Sequence, residues 1–139
     1  MTAALPWTMT AAGLLGLLLL ILAMRCVAVR LAIVRAGDNA DRPALEADRD
    51  NRMRVMANFA EYVPLCLVLI AGLEASGGPG WVPALLGAAL VGGRAFHAWG
   101  LSGNAGRSAG RLYGTLATWT VLVLAALGNL MVGGLALAG

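Results

Sequence analysis

The stretch RVMANFAEYVPLCLVLI, residues 54–70, opens on a cation and ends as an apolar run bound for a lipid bilayer. At 100° per residue, Arg54, Asn58 and Glu61 fall on one stripe of that helix. Ionisable groups at membrane depth are costly, so they face a protein interior or a wet cavity and have partners there. Arg54, near one end of the run, can snorkel to the interface. Glu61, about two turns deeper, cannot easily do so. Its carboxylate needs a cation: Arg54, an arginine of another helix, or the ammonium group of a ligand. Tyr62 lies about 100° round from Glu61 and is expected to face a neighbouring helix. Pro64 weakens the local backbone ladder.

The surrounding chain makes the bilayer reading general. Its 139 residues are 60% hydrophobic and 12% charged, with a mean hydropathy of +0.79. Soluble domains carry about 25% charged residues, and a chain this short cannot hide so much apolar surface in one aqueous core. Four apolar segments, near residues 7–34, 54–75, 81–101 and 112–137, each supply the roughly 20 residues a span needs. The runs are long, unalternated and rich in Leu and Ala, which favours helices over barrel strands. The expected fold is an all-α integral membrane protein: one four-transmembrane-helix bundle over residues 1–139, with helices at about 7–34, 50–75, 81–101 and 110–137. Residues 1–13 hold no Lys or Arg, so the first segment reads as a retained span rather than a signal peptide.

All ten basic residues are arginine. They lie in or beside two connections, one at residues 35–54 and one between Arg94 and Arg111. By the positive-inside rule both connections face the cytoplasm and both termini face out, as expected in a bacterial inner membrane. The net charge of +3 is then a topology signal, and nucleic-acid binding is a poor reading. Cys26 and Cys66 form no CxxC pair or ligand cluster, so they read as small buried apolar residues and no metal site is expected. The stretch RAGDNADRPALEADRDNR, residues 35–52, alternates acids with arginines and reads as a solvated loop leading into helix two. Gly87, Gly92, Gly93 and the Gly110/Gly114 pair suit close helix packing in lipid.

Helices three and four extend the polar theme. GGRAFHAWG, residues 92–100, sets Arg94 and His97 on one face, and Arg107 and Arg111 stand one turn apart where helix four opens. Arg54, Asn58, Glu61, Arg94, His97 and Arg111 form a candidate cluster at the cytoplasmic side, with Arg30 or Arg35 joining from helix one. Guanidiniums bind carboxylates bidentately, and Glu61 would take an amine. The cluster therefore suits a small polyanion that also carries an ammonium group. A thiol in that field would ionise more easily than a free one, whose pKa is about 8.5.

RVMANFAEYVPL resembles the helix-two signature of the MAPEG family, the membrane-associated proteins in eicosanoid and glutathione metabolism: R-x-x-x-N-x-x-E, then an aromatic residue and Pro. GRAFH is similar to the family's helix-three G-R-x-x-H pattern, and an arginine opening helix four also fits. The resemblance implies a homotrimer that binds glutathione between adjacent subunits near the cytoplasmic side. By position, Arg54, Asn58 and Glu61 would hold the peptide, with Arg94 and His97 along the same cleft. The helix-four arginine, Arg111 or in its place Arg107, would stabilise the thiolate as it attacks a lipophilic electrophile or hydroperoxide. Arg30 or Arg35 would fill the helix-one role. Leu101 and Leu112 stand where eicosanoid-producing members often have Tyr and Ser, so the chain is nearer to the general bacterial-type members.

The implied activity is that of a glutathione-dependent membrane transferase or peroxidase. The alternative is a non-catalytic protein of the same fold that binds an anionic lipid or another small ligand. A small multidrug transporter fits poorly, because residues 7–34 contain no Asp or Glu.

Overall fold

The computed structural model describes residues 5–99 and 109–139. They form four α-helices: α1 Pro6–Ala36, α2 Arg42–Ala75, α3 Trp81–Trp99 and α4 Ala109–Ala138. Arg107 and Leu101 lie outside the described residues. The helices alternate in direction. α2 and α3 pack against each other and each touches both α1 and α4, while α1 and α4 stay apart on opposite sides of that pair.

Three helices, α1, α2 and α4, are long and apolar enough to cross a membrane. Only 17% of the apolar window of α1 and 11% of that of α4 is buried inside the bundle, so their Leu, Val and Met side chains face outward. That arrangement needs a lipid solvent, and the chain is an integral, multi-pass membrane protein. The 19 residues of α3 span about 28 Å, close to the ~30 Å hydrocarbon thickness, and they include Arg94 and His97.

The second helix begins earlier than the sequence suggests, at Arg42 rather than near residue 50. Pro43 sits in the first turn, where its missing N–H costs nothing. Arg42–Glu46 at 3.0 Å and Arg52–Asp48 at 2.8 Å are i,i+4 ion pairs that carry the helix through the segment read as a loop. Further on, α2 runs through Pro64 without interruption.

Side chains along the inner stripes make the core: Leu15 and Leu22 of α1, Val55, Phe59, Val63, Cys66 and Ile70 of α2, Leu86 and Leu90 of α3, and Val121 and Ala125 of α4. Cys26 is buried as well. Small residues set the closest approach of α3 and α4. A Cβ on Gly114 would lie 2.6 Å from the carbonyl oxygen of Gly93 and 2.6 Å from Cβ of His97, so only glycine fits. Gly92, by contrast, has nothing within 4 Å of a Cβ.

At the arginine-poor end, Glu74 of α2 closes the start of α1. Its carboxylate accepts the backbone N–H of Trp7 at 2.9 Å, that of Thr8 at 2.8 Å, and the Thr8 hydroxyl at 2.7 Å. Pro6 has no N–H to satisfy, and the Met9 N–H reaches the Leu5 carbonyl at 2.9 Å. The first-turn donors of α1 are thus accounted for, with a negative charge at the positive end of the helix dipole. A second polar clasp follows in the same half. Asn129 of α4 donates through Nδ2 to the carbonyls of Leu69 and Ala125, both at 2.8 Å.

Candidate functional site

The polar residues of the opposite, arginine-rich half are placed by the α2–α3–α4 side of the bundle. Val55, Phe59 and Val63 turn the inner ridge of α2 into the core. The Arg54, Asn58 and Glu61 stripe lies beside that ridge: Asn58 is half-buried, while Arg54 and Glu61 are exposed on the subunit's outer face.

Arg94 comes to Asn58 from α3. Its guanidinium is only 2% exposed and donates to Oδ1 of Asn58 from Nη1 at 2.7 Å and from Nη2 at 3.0 Å. It also stands over the Phe59 ring at 5.9 Å and the Tyr62 ring at 6.0 Å from the centroids, within cation–π range. Tyr62 therefore faces a neighbouring helix, as its position round α2 suggests. The acceptors are the Asn58 side-chain amide, the Asn58 backbone carbonyl at 3.5 Å and two aromatic faces, so no carboxylate neutralises this buried cation among the described residues. Nε of Arg94 has no hydrogen-bond partner among the described residues. Fixing Oδ1 of Asn58 as the acceptor leaves the two N–H donors of its Nδ2 for something else.

His97 is buried one turn beyond Arg94, where α3 and α4 come closest at Gly114. Arg111, half-buried at the start of α4, donates from Nη2 to Oδ1 of Asn51 on α2. Asn51 is a residue that the sequence reading passes over. Its position gave a signal: 51, 54, 58 and 61 continue one stripe at spacings of three, four and three. Asn51 thus ties α4 to the stripe that Asn58 ties to α3.

Glu61 makes no ion pair among the described residues, and neither does Arg54. Among the described residues, the Glu61 carboxylate and the Arg54 and Arg94 guanidiniums thus have no opposite charge in an ion pair. Such a surface can receive a zwitterion with excess negative charge. Arg30 and Arg35 are exposed on α1, across the α2–α3 pair from α4, so one subunit does not bring them to Arg111. Among the described residues no three His, Cys, Asp or Glu side chains group as a metal site.

The family described as MAPEG matches residues 8–131, which hold nearly the full length of the four helices and every candidate site residue named above. Among curated proteins, the inner membrane protein YecN of Escherichia coli, from two strains, is 32% identical over 84 residues. That alignment takes in 60% of this chain and 63% of YecN, so the chain spans less than two thirds of that relative's length. No solved structure matches. With its four-helix membrane bundle, its R-x-x-x-N-x-x-E stripe and a match over residues 8–131, the chain belongs to the MAPEG family, a group with glutathione-dependent enzymatic members.

Proposed function

We propose that the protein is a glutathione-dependent membrane transferase or peroxidase that works as a homotrimer, with four spans and its arginine-rich end in the cytoplasm. The observation that carries this reading is the uncompensated charge on one stripe. Arg54 and Glu61 are exposed without ion-pair partners among the described residues, four residues before and three after an Asn58 held by a buried cation. Glutathione brings the opposite set: two carboxylates, one ammonium group and amides. Glu61 would take the ammonium, Arg54 a carboxylate, and Nδ2 of Asn58 a carbonyl or carboxylate oxygen. Because both charged side chains point out of the subunit, an adjoining copy would close the cleft.

In this scheme Arg94 is a positioning residue. It is too buried to meet a ligand and acts by orienting Asn58 and adding positive potential. Arg111, anchored by Asn51, is the group placed to stabilise the thiolate, with Arg107 in its place if the helix-four register differs by a turn. His97 lines the same side, and Arg30 or Arg35 would reach the cleft only from a neighbouring copy. Rate would come from raising the thiolate fraction and from holding it beside an electrophile or hydroperoxide that partitions from the lipid. A soluble thiol and a lipophilic partner would meet where the stripe passes from the interface into the apolar zone.

Binding of glutathione by Arg54→Ala and Glu61→Gln, with the oligomer checked by light scattering, tests the proposal. Each variant is expected to lose at least about tenfold in affinity with the assembly intact, the scale of a lost charge-assisted contact. Normal binding by both would discard the assignment.

A further inference from the structure

The half of the bundle away from the arginines holds one charged side chain among the described residues. Residues 6–24 of α1, 62–75 of α2, 81–93 of α3 and 114–138 of α4 contain Glu74 and no other acid, arginine or histidine. An acid without a cation at the edge of an apolar bundle is costly unless polar groups solvate it. The start of α1 supplies those groups.

The two carboxylate oxygens divide three donors between them. Oε1 accepts the Trp7 N–H, and Oε2 accepts both the N–H and the hydroxyl of Thr8. Such a clasp needs the ionised group. A proton on Oε1 sets a donor against the Trp7 N–H, and a proton on Oε2 sets one against the Thr8 donors. Either way a first-turn N–H loses its acceptor, and the negative charge leaves the positive end of the α1 dipole.

No neighbouring element compensates. From α2, the Ser76 hydroxyl donates to the Leu73 carbonyl at 2.7 Å. From α4, the Asn129 amide is spent on the carbonyls of Leu69 and Ala125. At this end α1 and α3 bring no titratable side chain among the described residues. Cys66, the nearest other titratable side chain of α2, lies eight residues or about 12 Å deeper.

The clasp holds the rim of a groove. Trp7 stands against the α2–α3 turn, where a Cβ on Gly80 would lie 3.5 Å from the indole Nε1. Between α1 and α3 runs a cavity of about 410 Å³, lined by Trp7, Ala11, Leu14, Ala84, Ala88 and Gly92. Trp7 is the outermost α1 residue of that lining, so releasing the first turn of α1 moves the side chain at the cavity's outer end.

We propose that Glu74 is an acid-sensitive latch. Ionised, it holds the first turn of α1 and Trp7 at the α1–α3 groove; protonated, it lets both go. With the arginine-rich end in the cytoplasm, as proposed above, the latch answers to pH on the far side of the membrane. It shares no residue with the thiol site.

Amide hydrogen exchange of the micellar protein, corrected for the chemical rate at each pH, tests it. Protection of the Trp7 and Thr8 amides is expected to fall about fivefold between about pH 7 and about pH 3.5, a window that spans the ordinary glutamate value of about 4.3. Amides beside Arg94 keep their protection. Glu74→Gln removes the step and leaves the two amides at the acid level throughout. Thr8→Val takes away the hydroxyl donor alone and shrinks the step, which decides the matter if Glu74→Gln does not fold. Trp81→Phe, Trp99→Phe and Trp119→Phe, all at exposed positions, leave Trp7 as the sole tryptophan, and its quenching by acrylamide rises over the same range. Equal protection at both pH values, a step unchanged in Glu74→Gln or Thr8→Val, a loss shared by all four helices, or a Trp7 signal that ignores the step would each overturn the proposal.

Discussion

Replacing Asn58 with leucine strips both side-chain hydrogen bonds from a guanidinium that is only 2% exposed. Hydrogen bonds to charged groups contribute about 1.5–3 kcal/mol each. Interhelical bonds measured in membranes average nearer 0.6 kcal/mol, because the unfolded reference also finds partners. Two charge-assisted bonds of 2.7 and 3.0 Å then put the cost of Asn58→Leu at about 2–4 kcal/mol. Arg94→Met gives up the same bonds and the Phe59 and Tyr62 ring contacts, but leaves no buried charge, so it costs about 1–2 kcal/mol. The double variant leaves nothing unpaired and should be no worse than Arg94→Met alone, which makes the coupling about 2–4 kcal/mol, the whole cost of Asn58→Leu. Unfolding of the micellar protein by sodium dodecyl sulfate, followed by helical circular dichroism, measures all four corners of the cycle. Costs that add within about 0.5 kcal/mol would refute the reasoning, since Arg94 would then be satisfied by something other than Asn58.

Further consequences concern the two ends of the bundle. Gly114→Ala places a methyl group 2.6 Å from the Gly93 carbonyl and should destabilise the α3–α4 pair by about 2 kcal/mol or more, whereas Gly92→Ala should be neutral or stabilising by about 0.5–1 kcal/mol; the same denaturation assay separates them. Glu74→Ala removes three acceptor contacts from the first turn of α1 and should cost about 1–2 kcal/mol, seen as faster amide exchange at Trp7 and Thr8 while Arg94-side amides keep their protection. Asn51→Ala frees Arg111 from its α2 anchor and, on the proposed role, should lower the thiolate fraction of bound glutathione without abolishing its binding, read as a loss of ultraviolet thiolate absorbance at saturating peptide.

The helix-two stripe was legible because charge and amide at spacings of four and three stand out against an apolar run. The arginine asymmetry likewise foretold that Arg30, Arg54, Arg94 and Arg111 share one end of the bundle. Contacts between helices were not legible in the same way. The partners of Glu74 are backbone N–H groups, which every residue but proline carries, so no pattern of side chains marks them. Asn51 and Arg111 are sixty positions apart, and their meeting depends on how α2 and α4 pack. Helix order decides that Arg30 and Arg111 lie on opposite sides of α2 and α3, and a chain with four similar apolar runs does not encode that order in any one of them. The early start of α2 was readable in part: Arg42 with Glu46 and Asp48 with Arg52 have helical spacing, which the loop reading of residues 35–52 set aside in favour of their charge density.

Calorimetric titration of the detergent-purified protein with glutathione, set beside S-methyl glutathione and followed by thiolate absorbance, tests the central claim most directly. Saturable binding of both peptides is predicted, with a thiolate signal for glutathione alone that Arg111→Ala abolishes. The absence of binding at millimolar glutathione, or binding without any thiolate signal, would contradict the account and leave a membrane protein that shares the family's fold without its thiol chemistry.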